Sequence, residues 1–307
     1  MSLFLFALSL SGTLALAGTP APARIDPGVD APAALLPAAL LPAANAALAA
    51  PSARALATAP VTDATLAALA TNAGWRLRAR AGAALVWRRD APLAEAITTL
   101  APVSTRTGAA RFTDARVRSA AATPLLLERL LSGVGTSGDR AAIVEAVRFS
   151  EGHWSDAVAG LVAAERDPAV REQLVGALRH ADPEDAAAAL PLAAKDTSPA
   201  VRAAAMRAIG SREDGATYAP LALTALTDVD PDVRAHAARA VGWLGLSAGW
   251  DDVVALLADP DAEVRLKAVA ALERLDPAAA AALPAMRARL TDPDARVARA
   301  AERLLGR

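Results

Sequence analysis

The sequence contains no cysteine, which excludes disulfide bonds, thiolate catalysis and cysteine-ligated metal sites. This absence does not by itself indicate a cellular compartment. Aromatic residues are also scarce, at 3% of 307 residues, although hydrophobic residues of all kinds reach 54%. Alanine therefore supplies much of the apolar content, and alanine combines the highest helix propensity with a side chain small enough for close helix packing. The composition predicts an all-α protein.

The chain also lacks an excess of charge of either sign. Its 32 Lys and Arg residues nearly balance 33 Asp and Glu residues, for a net charge of −1. This balance gives no general electrostatic reason to expect nucleic acid or an anionic membrane as a partner. No stretch has the length and continuous hydrophobicity of a transmembrane helix, so we expect no membrane span.

Motifs for catalysis are missing as well. We find no serine-nucleophile elbow, phosphate-binding loop or dinucleotide fingerprint. The three histidines, His153, His180 and His236, lie in different parts of the chain with no spacing typical of a metal or acid–base site. We therefore predict no cofactor, no metal site and no catalytic residue.

One pattern recurs along the C-terminal half. A turn with Asp, usually followed by Pro, precedes a Val-Arg pair, several alanines and a closing Leu or Val. In the clearest copy, Asp230 is a candidate N-cap, Pro231 suits the first helical position, and Gly242 is a candidate C-terminal stop. The copies lie 31 to 33 residues apart, at Val170-Arg171, Val201-Arg202, Val233-Arg234 and Val264-Arg265, with a degenerate copy at Val297-Ala298. Each unit has room for two helices and two turns, which predicts stacked helical hairpins.

These units resemble short bacterial HEAT-like repeats of the phycobilisome-lyase type. The turn aspartate and proline, the Val-Arg pair, the alanines and the closing Leu or Val with Gly carry the resemblance over about 151–306. It implies a right-handed α-α superhelix, here of about eight hairpins, whose second helices line a concave face. It also implies protein-binding or bilin-lyase roles, but no residue of a pigment site can be transferred.

The sequence predicts four segments: a signal peptide at 1–17, an Ala- and Pro-rich linker at 18–61, degenerate helical repeats at 62–150 and HEAT-like repeats at 151–307. In the linker, prolines five residues apart fit neither helix nor strand. We expect a semi-extended chain with a short helix over 43–50. Docking of its leucines on the first repeat remains an alternative.

The N-terminus favours export. Residues 3–16 are largely apolar, and Ala15-Leu16-Ala17 forms a small-x-small site before Gly18. This pattern predicts a signal peptide and a location in the periplasm or cell envelope. However, no Lys or Arg lies between Met1 and Ala23. An uncleaved N-terminus, a misassigned start codon and a cytoplasmic location therefore remain open.

Upstream of residue 151 the repeat is degenerate. A loop is predicted at 103–110, and Val117-Arg118 is a Val-Arg pair out of phase with the others, so we expect the second hairpin to be distorted. Helices are predicted at 62–70, 74–89, 92–100, 124–131 and 139–147.

The repeated arginines predict a structural ladder. Each follows a turn by one helical turn, where its guanidinium can bond turn carbonyls or an aspartate of a neighbouring unit. A residue present in every copy serves the stack rather than a ligand. The predicted ladder consists of Arg171, Arg202, Arg234 and Arg265.

A second row is predicted on the concave face. Two positions of each second helix, three and six residues after the Val, point away from the packed apolar stripe. Basic residues predominate there and acidic ones are absent, which predicts a mildly basic groove for an acidic protein segment. An ordinary solvated face is the alternative. The candidate binding residues are Gln173, Arg207, His236, Arg239, Lys267 and Arg303.

These patterns favour a non-catalytic scaffold or adaptor that binds a protein through its concave face. An accessory subunit of a bilin lyase and a nucleic-acid-processing protein are the alternatives. The five tryptophans are interpreted as packing residues at repeat junctions, with a surface hot spot as the alternative.

Overall fold

The computed structural model describes residues 36, 38–72, 74–104, 110–133, 135–150 and 154–306. The predicted signal peptide, most of the first half of the predicted linker, and His153 lie outside these residues. Helices contain most of the described residues, which confirms the all-α repeat architecture. Their helices are α1 Leu41–Ala49, α2 Ala53–Ala57, α3 Asp63–Asn72, α4 Trp75–Arg89, α5 Ala91–Thr99, α6 Ala122–Leu131, α7 Ser137–Arg148, α8 Ser155–Ala164, α9 Pro168–Ala177, α10 Pro183–Ala193, α11 Pro199–Ile209, α12 Ala219–Ala225, α13 Pro231–Leu244, α14 Trp250–Ala255, α15 Ala262–Leu275, α16 Pro277–Ala282, α17 Pro284–Ala288 and α18 Ala295–Leu305.

The helices pair into hairpins that stack side by side. The second helices pack successively against one another, in the order α7, α9, α11, α13, α15 and α18. We call these six helices the second-helix layer. Buried Val, Leu and Ala side chains from successive units join into one continuous core. Each hairpin therefore buries its apolar stripe against its neighbours, as in other repeat proteins.

Local signals start and stop the second helices. Asp230 accepts hydrogen bonds from the backbone N–H groups of Asp232 and Val233 at 3.0 and 3.3 Å, and Pro231 occupies the first turn, as the sequence predicts. The predicted stop at Gly242 is wrong, because α13 continues to Leu244. Gly245, with φ of 65°, provides the left-handed cap instead.

Gly242 has a packing role. A Cβ atom at this position would lie 2.7 Å from Cα of Ala271 in α15. Gly210 has the equivalent relationship to Ala240, at 2.9 Å. Glycine at this position therefore lets neighbouring second helices approach more closely than any side chain would permit.

The second unit is irregular, as the sequence predicts. After α5, the segments Val103–Ser104 and Ala110–Arg111 form a short antiparallel pair. The out-of-phase Val117-Arg118 pair lies in a 3₁₀ turn, Ala115–Arg118, and Val117 is buried. This turn and the strand Ala110–Arg111 pack against α7, where the other units have a second helix.

The predicted linker is helical where the structure describes it, over Ala38–Leu40, α1 and α2. Pro42 lies in the first turn of α1, where proline does not break a helix. Leu36 and Leu56 are buried in an apolar cluster with Leu66 and Leu77 of the first hairpin. The leucines therefore dock on the first repeat. The proline spacing favoured a semi-extended linker and left this docking as the alternative.

Arginines of α4 support this docking. Arg88 donates to the backbone carbonyls of Ala57, Ala59 and Val61 at 2.6 to 2.9 Å. Arg80 donates to the carbonyl of Ala50 at 2.9 Å. These carbonyls lie at or beyond the C-terminal ends of α1 and α2, where no intrahelical partner is available. Within the described part of the chain, no helix has both the length and the hydrophobicity to cross a bilayer.

Candidate binding face

The predicted ladder arginines contact successive units of the stack. Arg234 donates from Nε and Nη2 to the carboxylate of Asp259 at 2.8 and 2.9 Å, and from Nη1 to the carbonyls of Asp228 and Val229. Each guanidinium thus joins its own turn to the aspartate of the next unit. The same arrangement occurs in the pairs Arg171–Asp196, Arg202–Asp228 and Arg265–Asp292.

The contacts with arginine lower the pKa values of the ladder aspartates. The hydrogen bonds from Arg202 lower the pKa of Asp228, and those from Arg265 lower the pKa of Asp292. Burial by itself would raise the pKa of Asp259, but the hydrogen bonds from Arg234 and from the Asp261 backbone lower it overall. These carboxylates are therefore charged partners of the arginines at neutral pH.

The predicted groove residues lie on the solvent side of the second-helix layer, but their charges are less free than the sequence suggests. Arg207 pairs with Glu172 of α9 at 2.9 Å, and Lys267 pairs with Glu263 at 2.8 Å. These two acidic partners occupy helix positions other than the two that define the predicted groove. Arg303 lies 3.5 Å from Glu273, and Gln173 is exposed.

Arg239 differs from these paired residues. No carboxylate of the described residues lies within ion-pair distance of Arg239 or of the nearby Arg274. Both arginines, with Lys267 and Trp243, line a shallow cavity of about 140 Å³ between α13 and α15. No acidic side chain lines it. The cavity is therefore a positively charged depression beside an aromatic ring.

Trp243 is 54% exposed, so its interpretation as a packing residue is wrong. The guanidinium carbon of Arg274 lies 3.8 Å from the centroid of its ring, a cation–π stack that keeps one face of the indole covered. The other tryptophans pack: Trp75 and Trp154 are buried, and Trp250 contacts the core. An exposed tryptophan among unpaired cations is typical of an interaction hot spot.

Trp243 belongs to a row that the sequence reasoning missed. Its position is nine residues after the ladder arginine, at the C-terminal end of each second helix. We call these exposed residues the terminal row: Phe149, His180, Ser211, Trp243 and Arg274. Counting nine residues from each ladder arginine finds the last four, and counting nine from Arg140 in α7 finds Phe149, but the helix pattern alone does not show that they are exposed.

His236 is half-buried beside this cavity. Its Nδ1 atom is buried and has no hydrogen-bond partner among the described residues. Burial, together with the positive charges of Arg207, Arg239 and Lys267, lowers its pKa to about 4, although Asp232 acts in the opposite direction. His236 is therefore uncharged at neutral pH, so that the local positive charge comes from the arginines and the lysine.

The described residues give little support for a metal site or for chemistry at His180. Among the described residues, no group of three or more His, Asp or Glu side chains is placed to hold a metal ion. His180 is exposed and accepts a hydrogen bond from Arg179 at 2.8 Å.

Comparison with known proteins agrees with the repeat pattern. Residues 218–306 match the family model of HEAT repeats. This segment contains α12 to α18, the ladder residues Arg234 and Arg265, and the Trp243 cavity. No curated protein matches the chain.

Several solved structures are similar to the chain. A crystal structure of an engineered protein is 20% identical, covering 70% of this chain and 94% of its own, with a TM-score of 0.40. A designed armadillo repeat protein is 17% identical, covering 70% and 98%, with a TM-score of 0.38. YibA of Escherichia coli is 17% identical, covering 80% and 93%, with a TM-score of 0.43.

Proposed function

We propose that this chain, a HEAT-like repeat protein, is a non-catalytic scaffold that binds an acidic segment of a protein partner on its second-helix layer. One observation carries the proposal: Arg239 and Arg274 lack carboxylate partners among the described residues and border a cavity beside the exposed Trp243. Arginine and tryptophan are the residue types that most often dominate protein interfaces.

The chemistry of this cavity suits a carboxylate. The two guanidinium groups of Arg239 and Arg274 can donate several charge-assisted hydrogen bonds to one acidic side chain. The indole ring offers apolar area for the neighbouring residue of the partner. A repeat surface extends this contact along several units, which suits an adaptor better than an enzyme pocket.

The alternative functions have weaker support. A bilin-lyase accessory role derives only from the resemblance of the repeats, and no residue of a pigment site can be assigned. A nucleic-acid-processing role conflicts with the net charge of −1. The positive charge of the second-helix layer is interrupted by the Arg207–Glu172 and Lys267–Glu263 pairs.

The test measures binding of a labelled acidic peptide by fluorescence anisotropy. The probe is an alternating Glu-Gly peptide of about ten residues, sufficient at ~3.3 Å per residue to cross several helices. We expect Arg239→Glu with Arg274→Glu to weaken binding at least tenfold, because each reversal replaces attraction with repulsion. The matched control is Arg287→Glu in α17, an exposed arginine outside the second-helix layer.

Unchanged affinity in the double reversal, or an equal loss in Arg287→Glu, would contradict the proposal. Arg239 and Arg274 are better targets than the wider set of Arg207, Arg239 and Lys267. Reversal of Arg207 or Lys267 would also place like charges beside Glu172 or Glu263 and disturb the fold.

The proposal includes export to the periplasm or cell envelope, which the apolar run at 3–16 and the Ala15-Leu16-Ala17 site support. N-terminal sequencing of the protein from its native source should begin at Gly18. A retained Met1 would overturn export while leaving the binding proposal unaffected.

A further inference from the structure

The terminal row carries two exposed aromatic rings at equivalent positions of the repeat. Phe149 is the C-cap residue that follows α7, Trp243 lies near the end of α13, and each residue is 54% exposed. Each is stacked by an arginine: Arg148 lies 4.4 Å from the Phe149 ring and Arg274 lies 3.8 Å from the Trp243 ring. Aromatic residues are enriched in the cores of protein interfaces, so two exposed rings at matched positions are candidate anchors for a partner.

Each ring also borders a cavity with unpaired arginines. The Phe149 cavity, of about 110 Å³, is lined by Arg111 and Arg118, and neither has a carboxylate within ion-pair distance among the described residues. Its one acidic residue, Glu145, already pairs with Arg148 at 2.8 Å. The two ends of the row therefore present the same chemistry, an aromatic ring beside free guanidinium groups.

The members of the row between the two rings are polar, and one arginine lies beside them. The intervening members of the terminal row are His180 and Ser211, with Arg179 beside them. Arg179 donates to His180 and has no carboxylate partner in the part of the chain that the structure describes. No member of the terminal row carries a negative charge that would repel an acidic segment crossing this region.

The spacing of the rings sets the length of the occupant. Three helix-to-helix steps separate α7 from α13, through α9 and α11. At roughly 8–10 Å a step, the rings are on the order of 25–30 Å apart. An extended peptide rises ~3.3 Å per residue, so about eight or nine residues bridge them.

We propose that the partner segment is extended and bipartite, with one apolar side chain on Trp243, a second on Phe149, and acidic residues between them. This inference rests on the proposed function and adds the anchor spacing and the register of the partner. Two weak sites joined by a linker of matching length bind more tightly than either alone, because the second contact is intramolecular.

The experiment uses three fluorescein-labelled peptides and the full chain. All three have the alternating Glu-Gly core of about eight residues, a length set by the ~3.3 Å rise per residue. One carries Phe at both ends, one carries Phe at one end, and one has no Phe. We expect the two-anchor peptide to bind at least tenfold more tightly than the one-anchor peptide. Shortening its core by half should remove this advantage.

Variants identify the anchors. Phe149→Ala should reduce the affinity of the two-anchor peptide to that of the one-anchor peptide and change the latter less than twofold. Trp243→Ala should act likewise, and the double variant should bind all peptides equally. The control is Leu192→Ala in α10, whose side chain is also 54% exposed but lies outside the second-helix layer.

The outcomes separate the two proposals. If Arg239→Glu with Arg274→Glu abolishes binding while the one-anchor and two-anchor peptides bind equally, the bipartite inference is wrong and the acidic-segment proposal stands. If no peptide binds at millimolar concentration, both are wrong. Self-association that is lost in Phe149→Ala would assign the row to a second copy of the chain and overturn the inference; light scattering tests this.

Discussion

The carboxylate of Asp259 is held by the guanidinium of Arg234 from the preceding unit, with both Nε and Nη2 within 2.9 Å of its oxygens. The Asp259 side chain is only 6% exposed and also accepts a hydrogen bond from the Asp261 backbone at 2.9 Å. One ion pair thus joins two hairpins and orders the turn before α15.

Removing one partner of this pair should destabilise the stack. We expect Arg234→Ala to lower the free energy of unfolding by about 3–5 kcal/mol, because Asp259 remains buried without its counter-charge. The effects of Arg234→Ala and Asp259→Ala should be non-additive, with a coupling of about 1–3 kcal/mol in a denaturant-based double-mutant cycle. Full thermal stability of Arg234→Ala would contradict the ladder.

The close approach of α13 and α15 at Gly242 gives a second prediction. Gly242→Ala should destabilise the protein by about 1–3 kcal/mol, because the new Cβ would clash with the backbone of Ala271 and push α13 from α15. The measurement is urea-induced unfolding followed by circular dichroism.

Gly176→Ala is the matched control, since Gly176 lies within α9 and a Cβ there meets no atom within 4 Å. We expect it to stabilise the protein by about 0.5–1 kcal/mol through helix propensity. Equal effects of the two substitutions would show that the close helix approach is not a constraint.

A third prediction concerns pH. The pKa of His236 falls from an ordinary value of 6.5 to about 4 on folding, so the unfolded state takes up the proton first as the pH drops. Stability should therefore decrease between pH 6.5 and 4. We expect a loss of about 1–2 kcal/mol, less than the ~3.4 kcal/mol of the full shift, because solvent partly screens the group.

His236→Leu should remove this loss, and urea unfolding of both proteins at pH 7 and pH 4.5 measures it. His180→Leu is the control, because His180 is exposed and should contribute less. If the wild type and His236→Leu show the same pH dependence over this interval, His236 does not have the assigned environment.

The helical segment before the first repeat gives a fourth prediction. Leu56 in α2 is fully buried, whereas Leu48 in α1 is half-exposed. Leu56→Ala should cost about 2–5 kcal/mol of stability and Leu48→Ala less than about 0.5 kcal/mol. Thermal unfolding measured by calorimetry distinguishes them. Equal effects would mean that this segment is a linker after all.

The candidate face was only partly predictable. Arg207, His236, Arg239 and Lys267 follow from helical periodicity and are partly exposed, whereas Ala204 and Ala300 at the same positions of their helices are buried. Periodicity within one helix cannot show that Glu172 of α9 reaches Arg207 of α11, because that contact depends on how adjacent hairpins are aligned. For the same reason, the sequence could not show that Arg239 lacks the carboxylate partner that Arg207 and Lys267 have.

Buried Arg212 is another residue whose contacts the sequence pattern could not predict. It donates to the carbonyls of Leu178 and Ala181 in the preceding unit and pairs with Asp214 at 2.6 Å. It lies in an unrepeated turn, so no comparison between copies could indicate it. Both carbonyl partners are more than 30 residues away in the chain.

The sequence by itself determined the repeat, its hairpins and the ladder position, because caps, helix periodicity and the 31-to-33-residue spacing are local properties repeated in each copy. Only the tertiary structure decided that Gly242 packs against α15 instead of ending α13, how the leucines before residue 61 pack, and which cations on the face lack partners. These depend on distances between units, which no single helix encodes. Trp243 is an example: its turn suggested packing, and only the relative placement of α13 and α15 leaves its ring exposed beside Arg239 and Arg274.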